Sequence, residues 1–232
     1  MLQFPPKCGI IVAKETERLD RMIKAVLFDL YGTLWDASAS VAESFNIALA
    51  RLDLDRRISR DEMMHEMGKT LEEIAHVYFD CIDPAQAVGI MRYCTAYENS
   101  YIETHGGNLY DGLRETLEKL RSMGLMIACV SNCQSGYIEA FMKYHELGDL
   151  FDDKECWGDT GLLKADNISI VVKRNGPKPE ECVYVGDTMG DYNSAIQAGT
   201  HFIHSAYGYG TVPEGTESIS AITELPEKIK NF

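Results

Sequence analysis

The sequence predicts an α/β protein with a doubly wound parallel sheet and an all-helical segment inserted after the first strand. Three observations support this prediction. A short, mostly apolar run at residues 23–28 stops at Asp29, which is typical of a buried strand that ends in a loop. Helical periodicity without strand-like alternation follows over residues 35–104. From Leu109 onward helices and strands alternate, as expected for a parallel sheet covered on both faces.

The length of the chain agrees with one core domain that carries a smaller insertion. The protein has 232 residues, of which 45% are hydrophobic and 25% are charged, so it can bury a substantial core. We predict a core over residues 22–36 and 105–232, with a helical insert over residues 37–104. Residues 1–21 are predicted to be an N-terminal extension without chemistry of its own.

The charge and the cysteines restrict the expected partners and location. The chain has 22 basic and 36 acidic residues and a formal charge of −14, so it should repel nucleic acid and anionic membrane surfaces. Its seven cysteines form no C-x-x-C pair, which argues against a disulfide framework or a zinc site. The apolar runs are far shorter than the ~20 residues of a membrane span. We therefore expect a cytoplasmic protein that binds neither nucleic acid nor membranes.

The helical insert has recognisable helix starts and one clear apolar stripe. Ser59 and Glu62 have the spacing of a capping box, and Pro84 is placed to open a helix that runs toward Ile102. The residues of the stripe on the first helix of the insert are Val41, Phe45, Ala48, Leu49 and Leu52. Several consecutive helices are therefore expected in this segment.

The second half of the chain supplies the remaining strands and helices of the predicted core. A helix with Leu113, Leu117 and Leu120 on one face should end at Gly124. The further predicted strands are residues 125–130, 182–185 and about 200–204, and the further helices are residues 135–144 and 164–174.

Polar residues follow three of the predicted strands. They are Asp29 after the first, Ser131 and Asn132 after the second, and Asp187 and Asp191 after the third. Ligands of open α/β sheets bind in the crevice beyond the carboxyl ends of the strands, so these side chains are expected to converge. Lys164, at the start of a helix, would add one cation to this carboxylate-rich cluster.

These residues resemble the four ordered motifs of the haloacid dehalogenase superfamily. The motifs are Asp29-Leu-Tyr-Gly-Thr33, Ser131-Asn132, Lys164 and Gly186-Asp-Thr-Met-Gly-Asp191. The helical insert is similar to the helical cap of that superfamily. The stretches that begin at Lys164 and Tyr207 resemble its phosphoglycolate-phosphatase-like members. The resemblance covers about residues 22–232.

The resemblance implies phosphoryl transfer through a covalent intermediate. Asp29 would attack phosphorus, since an ionised carboxylate needs no base to activate it. Attack by an anion on an anionic group requires a cation to offset repulsion, and Mg²⁺ bound by oxygen ligands is the usual solution. The expected ligands are the carboxylates of Asp29 and Asp187, the backbone carbonyl of Tyr31 and the region of Asp191.

Other residues are expected to hold the substrate. The Ser131 hydroxyl, the Asn132 backbone N–H and the Lys164 ammonium would bind the phosphoryl oxygens, because positioning and charge stabilisation provide most of such catalysis. Thr33 in the first motif and Lys69 in the insert are further candidates for substrate contact.

Tyr31 departs from the pattern of the superfamily's phosphatases, which usually have a second Asp two positions after the nucleophile. A phenol with an ordinary pKa of ~10 is a poor base near neutrality. Tyrosine at this position is typical of the dehalogenases themselves, whose halide leaving group needs no proton. In the other direction, Asp187 and Asp191 would repel Asp29 unless a cation lay between them, which favours a metal site.

The sequence therefore favours a Mg²⁺-dependent phosphatase or phosphotransferase that acts on a small phosphorylated metabolite. One alternative is a metal-free 2-haloacid dehalogenase. Another is a phospho-ligand-binding regulatory protein with little turnover, which the loss of the second Asp would allow. The sequence predicts neither the substrate nor the oligomeric state.

Overall fold

A computed structural model describes residues 22–66 and 69–232, so the predicted N-terminal extension over residues 1–21 lies outside the described residues. The strands are β1 Ala25–Phe28, β2 Trp35–Asp36, β3 Asn108–Leu109, β4 Met126–Ser131, β5 Asp153–Cys156, β6 Cys182–Gly186, β7 His201–Ser205 and β8 Ser218–Ile219. The α-helices are α1 Ser38–Arg51, α2 Arg60–Glu66, α3 Leu71–Tyr78, α4 Pro84–His105, α5 Leu113–Ser122, α6 Tyr137–Tyr144, α7 Trp157–Thr160, α8 Lys164–Asn175, α9 Met189–Ala198 and α10 Leu225–Ile229.

The main sheet has six parallel strands in the order β5-β4-β1-β6-β7-β8. The strand β1 lies inside it, with Ala25 beside Met126 of β4 on one side and beside Cys182 of β6 on the other. The chain order therefore reverses direction across β1, which is the topology of a doubly wound sheet. The predicted fold class is confirmed.

Both faces of the sheet are covered by helices, as the continuous apolar strands require. In β1, the side chains of Val26 and Phe28 belong to the apolar cluster that includes helices α5 and α6. Leu27 belongs to the opposite cluster, which contains Ile168 of α8 and Ala195 of α9. Since both faces of β1 are buried, the residue that follows its carboxyl end, Asp29, also lies in the interior of the protein.

Helices α1 to α4 lie between β2 and β3, where the helical insert was expected. Ser59 and Glu62 form the predicted capping box, in which the Glu62 N–H donates to Ser59 Oγ at 3.2 Å and the Ser59 N–H donates to Glu62 Oε2 at 2.8 Å. Pro84 opens α4 as expected. The boundaries of the insert as a separate domain stay a prediction. No helix in the described part of the chain is long and apolar enough to cross a membrane.

Four short strands, β2, β3, β5 and β8, were not predicted from the sequence. Trp35 and Asp36, expected to belong to the helical stretch, instead form β2 and pair antiparallel with β3. The edge strand β5 has the sequence Asp-Lys-Glu-Cys and lacks the apolar run that marks the other strands. Because β5 is at the sheet edge and pairs only with β4, it can remain polar.

Candidate active site

Three buried carboxylates meet beyond the carboxyl ends of β1 and β6. Asp29 directly follows β1, Asp187 directly follows β6, and Asp191 lies in the first turn of α9. Their carboxylate oxygens lie within 4.8 Å of one another, and each residue is at most 3% exposed. These strands are neighbours in the sheet, so residues about 160 positions apart come together because parallel strands end at the same edge.

The side chain of Lys164 enters this acidic cluster from the start of α8. Its Nζ donates to Asp29 Oδ1 at 2.8 Å and to Asp191 Oδ1 at 2.5 Å. Burial alone would lower the pKa of Lys164, but the two carboxylates outweigh it and the pKa is raised. Lys164 is therefore an ammonium ion that bridges two of the three carboxylates.

The remaining negative charge alters the acidity of the cluster. Burial, opposed by Lys164 and reinforced by Asp191, raises the pKa of Asp29 to about 6. Burial, together with the charges of Asp29 and Asp191, raises the pKa of Asp187 to about 7. One ammonium against three carboxylates leaves an excess of negative charge that is costly in a buried site.

The first turn of α9 fixes the orientation of Asp191. Thr188 and Asp191 form a capping box, in which the Asp191 N–H donates to Thr188 Oγ1 and the Thr188 N–H donates to Asp191 Oδ2 at 3.0 Å. The Thr188 hydroxyl donates to the same oxygen at 2.7 Å. Oδ1 is thereby directed toward Lys164, so the helix start positions a site residue.

Glycines surround Asp187 on two sides. Its Oδ2 accepts hydrogen bonds from the backbone N–H groups of Tyr209 at 2.7 Å and Gly210 at 3.2 Å. A Cβ at Gly32, where φ is +70°, would lie 2.3 Å from Asp187 Oδ2. A Cβ at Gly208 would lie 2.4 Å from both Asp187 Cβ and the Gly32 carbonyl oxygen. Only glycine allows the loops after β1 and β7 to approach this carboxylate so closely.

The donor set of this cluster fits a hard divalent cation. Three clustered carboxylates offer oxygen ligands of the kind that Mg²⁺ prefers, and the excess negative charge would be offset by a metal ion. Asp29, Asp187 and Asp191 would hold it. The contribution of the Tyr31 carbonyl stays a prediction.

A cavity connects this cluster with the helices that follow β2. It is lined by Asp29, Tyr31, Ser131 and Asn132 from the core and by Lys69 beside α3. Five predicted site residues thus share one cavity. Phe45, Met63, Ile74 and Met91, one from each of the helices α1 to α4, form much of its apolar wall.

Tyr31 has its hydroxyl among groups of the insert and of α6. The hydroxyl contacts that of Tyr137 and donates to Glu98 Oε1 at 3.4 Å, and the rings of Tyr31 and Tyr137 stack with centroids 5.5 Å apart. Burial and the neighbouring Tyr137 and Glu98 raise the pKa of Tyr31 well above its usual value. The phenol therefore stays protonated and can donate a hydrogen bond, as expected from the sequence.

Comparison with known proteins decides the family. A family model described as haloacid dehalogenase-like hydrolase matches residues 26–205. The chain belongs to this hydrolase family. A phosphoglycolate phosphatase from Nitrosospira multiformis is 29% identical to it over 193 residues, which cover 81% of this chain and 85% of the relative.

Solved structures agree with this assignment at the level of the fold. CbbY from Rhodobacter sphaeroides in complex with phosphate has a TM-score of 0.76 and 22% identity, covering 88% of this hydrolase and 96% of that chain. A predicted phosphatase from Clostridium acetobutylicum has a TM-score of 0.75 and 22% identity, covering 91% and 100%.

The polar residues around Tyr31, namely Glu98, Gln134 and Tyr137, were not predicted from the sequence. Glu98 of α4 lines the cavity, and its Oε2 accepts a hydrogen bond from Gln134 Nε2 at 2.9 Å. Burial raises the pKa of Glu98 to about 8. No local sequence pattern indicates that Glu98 and Tyr137 lie beside Tyr31, because Glu98 is inside helix α4 and Tyr137 begins helix α6. In contrast, the glycine-rich stretch that holds Asp187 was visible in the sequence.

Thr33 is the predicted site residue that lies apart from the others. It is fully buried, and its Oγ1 is 3.1 Å from Ser205 Oγ. The Tyr207 hydroxyl donates to its carbonyl oxygen at 2.8 Å. In this arrangement Thr33 joins the loop after β1 to the end of β7, and its role in substrate binding stays a prediction.

Proposed function

We propose that this hydrolase is a Mg²⁺-dependent phosphatase that acts on a small phosphorylated metabolite through an aspartyl phosphate on Asp29. The observation that carries the proposal is the buried cluster of Asp29, Asp187 and Asp191, in which Lys164 bridges Asp29 and Asp191 and Asp29 also lines the cavity. The similarity to phosphoglycolate phosphatases supports phosphate esters as the substrate class. Both observations concern the reaction, and neither identifies the organic part of the substrate.

In the first half-reaction, a carboxylate oxygen of Asp29 attacks phosphorus and the bond to the leaving oxygen breaks. The pKa of Asp29, about 6, keeps this carboxylate largely ionised at neutral pH. A bound Mg²⁺ would supply positive charge that offsets the repulsion between the carboxylate and the phosphoryl group. Ser131, Asn132 and Lys164 would hold the phosphoryl oxygens.

In the second half-reaction, water attacks the phosphorus of the aspartyl phosphate, inorganic phosphate leaves and the Asp29 carboxylate is regenerated. Lys164 remains beside Asp29 throughout and orients it. The leaving oxygen must take up a proton in the first step, and water must lose one in the second. Tyr31 can donate a hydrogen bond to the leaving oxygen but is a poor base at neutral pH.

The Asp29→Asn variant tests the proposal. We expect the parent to release phosphate from an aryl phosphate with Mg²⁺ and to lose this activity in excess EDTA. The variant should lose at least ~10³-fold in turnover, because an amide is not a nucleophile, while circular dichroism shows an intact fold. Equal activity with EDTA, or full activity of the variant, would contradict the mechanism.

The metal-free dehalogenase remains a second candidate because of Tyr31. Halide release from a 2-haloacid, measured without Mg²⁺ and alongside phosphate release, separates the two reactions. Halide release that is independent of Mg²⁺, without phosphate release, would favour the dehalogenase. Binding of phosphate esters without turnover of either substrate would favour the regulatory protein.

A further inference from the structure

Of the two cavities that contact Asp29, the one between the strand ends and the helices that follow β2 has the apolar wall that suits the organic part of a substrate. Phe45, Met63, Ile74 and Met91 give this cavity an apolar wall, so an organic group held there leaves bulk water. Transfer of a charge from water to such surroundings is costly unless a partner of opposite charge awaits it. The charged residues of the lining therefore determine which substrates fit.

The cavity lining contains two buried carboxyl groups in addition to the nucleophile. Glu66 at the end of α2 is 6% exposed, and Glu98 of α4 is 4% exposed. The partners of Glu98 are uncharged, since it accepts hydrogen bonds from the Tyr31 hydroxyl and the Gln134 amide. Glu98 is thus an acceptor on the wall without a positively charged partner among the residues that the structure describes.

The lysine of the cavity lining, Lys69, already forms an ion pair with a carboxylate. Lys69 Nζ donates to Glu66 Oε2 at 2.7 Å, so its charge is offset by a carboxylate with a side chain only 8% exposed. The other lysine of the site, Lys164, is bound to Asp29 and Asp191 below the cavity. Within the described part of the lining, therefore, each lysine that could meet a second anion is already paired with a carboxylate.

We propose that the preferred substrate is a phosphate monoester whose organic part is apolar or donates hydrogen bonds and carries no second negative charge. The proposal rests on the proposed phosphatase function and narrows its substrate class. Burial raises the pKa of Glu98 to about 8, so at neutral pH its side chain is mainly an uncharged acid that can hydrogen-bond a hydroxyl group. A carboxylate would instead lie against the apolar wall, and the lysine of the described lining is already paired with Glu66. Phosphoglycolate, which carries a carboxylate, should accordingly be a poor ligand of this protein.

Binding is the decisive measurement because it does not depend on turnover. In the Asp29→Asn variant with Mg²⁺, titration calorimetry should give a Kd for hydroxyethyl phosphate at least tenfold lower than the Kd for phosphoglycolate. In the parent, kcat/KM should favour hydroxyethyl phosphate in the same direction. Equal or tighter binding of phosphoglycolate overturns the proposal.

Charge substitutions on the wall identify the cause of the preference. Glu66→Gln frees Lys69 and should lower the Kd for phosphoglycolate relative to that for hydroxyethyl phosphate by at least fivefold. Glu98→Gln replaces a mainly uncharged acid by an uncharged amide at neutral pH, so the ratio should change less than twofold. Glu72→Gln is the matched control, since Glu72 is an exposed residue of α3 outside the cavity lining, and the ratio should not change. An equal change in the control, or no change in Glu66→Gln, would overturn the explanation.

The two proposals can fail separately. If the parent hydrolyses an aryl phosphate with Mg²⁺ but binds phosphoglycolate best, the phosphatase function stands and the substrate class is wrong. If neither ester is hydrolysed but the binding preference is found, the cavity has the proposed selectivity and the catalytic proposal is wrong. If neither ester binds, both proposals are wrong.

Discussion

Asp187 and Asp191 are held in different ways, and this difference predicts different effects on metal binding. Asp191 is engaged through one oxygen by Lys164 and through the other by Thr188, whereas Asp187 is held by backbone N–H groups on one oxygen. We expect Asp187→Ala to raise the Mg²⁺ concentration for half-maximal activity at least tenfold, because a direct carboxylate ligand is lost. Asp191→Ala should raise it less.

Metal titrations of the two variants, with thermal unfolding to confirm their folds, check this expectation. If the titration of the Asp187 variant overlays that of the parent, this carboxylate serves only to join the loops after β6 and β7.

Tyr31 predicts a reaction that is sensitive to the leaving group. General acid–base help is worth ~10² to 10⁴ in rate, so an enzyme without the usual second Asp should be slow with alkyl phosphates and faster with aryl phosphates. Tyr31→Asp should raise turnover of an alkyl phosphate by supplying an acid and base. Steady-state and burst kinetics on both substrate types measure the effect.

Tyr31→Phe is the control, because it keeps the ring stacked on Tyr137 but adds no acid or base. It should give no gain. If Tyr31→Asp also gives none while its affinity for Mg²⁺ is unchanged, another residue already provides the proton transfer.

The individual site residues divide by how they can be recognised in a sequence. Some site residues lie at a strand end or at a helix start, so their convergence at one edge of the sheet could be predicted from the order of the elements. These residues are Asp29, Ser131, Lys164 and Asp187. Glu98 does not lie at a strand end or a helix start, and it is one of several polar residues within α4. Its place beside Tyr31 depends on how α4 packs on α6, which is set by side chains distant in sequence.

At the level of elements, prediction succeeded where a segment was either strongly apolar or clearly capped. The core strands and α8 lie within one or two residues of their expected positions, and the capping box at Ser59 is present. The edge strands β5 and β8 and the pair β2–β3 were missed, because segments of two to four residues without an apolar run acquire strand geometry only from the neighbours with which they pair.

The end of helix α6 predicts a dependence of stability on pH. His145 follows the last turn and packs against Trp35 and Phe141. Burial, with a smaller effect of Arg114, lowers the pKa of His145 to about 4. Since an unfolded histidine has a pKa of ~6.5, the unfolded chain binds the proton more readily between these values. The free energy of unfolding should therefore fall as the pH falls from about 6.5 toward 4.

His145→Phe keeps an aromatic ring at this place and removes the titration. Urea unfolding near neutral pH and near pH 5 should show that the parent loses about 1 kcal/mol more than the variant over this interval. An identical loss in both proteins would mean that His145 is protonated in the folded state as easily as in the unfolded chain.

At the scale of the whole molecule, the site depends on close approach between loops from opposite ends of the described chain. Gly208→Ala would place a methyl group 2.4 Å from Asp187 Cβ and from the Gly32 carbonyl oxygen. Asp187 is held by backbone hydrogen bonds and the Gly32 oxygen belongs to the backbone, so the loops after β1 and β7 would have to move apart. We expect at least a tenfold rise in the Mg²⁺ concentration for half-maximal activity and a lower Tm.

Gly89→Ala is the matched control. Gly89 lies in the exposed part of α4, and a Cβ there would meet nothing within 4 Å. Alanine should stabilise the helix by ~0.5 to 1 kcal/mol and leave metal activation unchanged. If both variants behave alike, the loop after β7 does not need glycine for its approach.

The inner position of β1 also has a consequence for the protein during its synthesis. Strand β1, which precedes Asp29, is made early, but both strands that flank it come later, β4 beginning at Met126 and β6 at Cys182. A ribosome adding ~5 to 20 residues per second needs ~5 to 20 s to pass from β1 to β4. Helices α1 to α4 are made in this interval, whereas β1 has neither of its partner strands until β4 is made. The backbone donors to Asp187 come later still, so the hydrogen bonds that hold this carboxylate cannot form until Gly210 has left the ribosome.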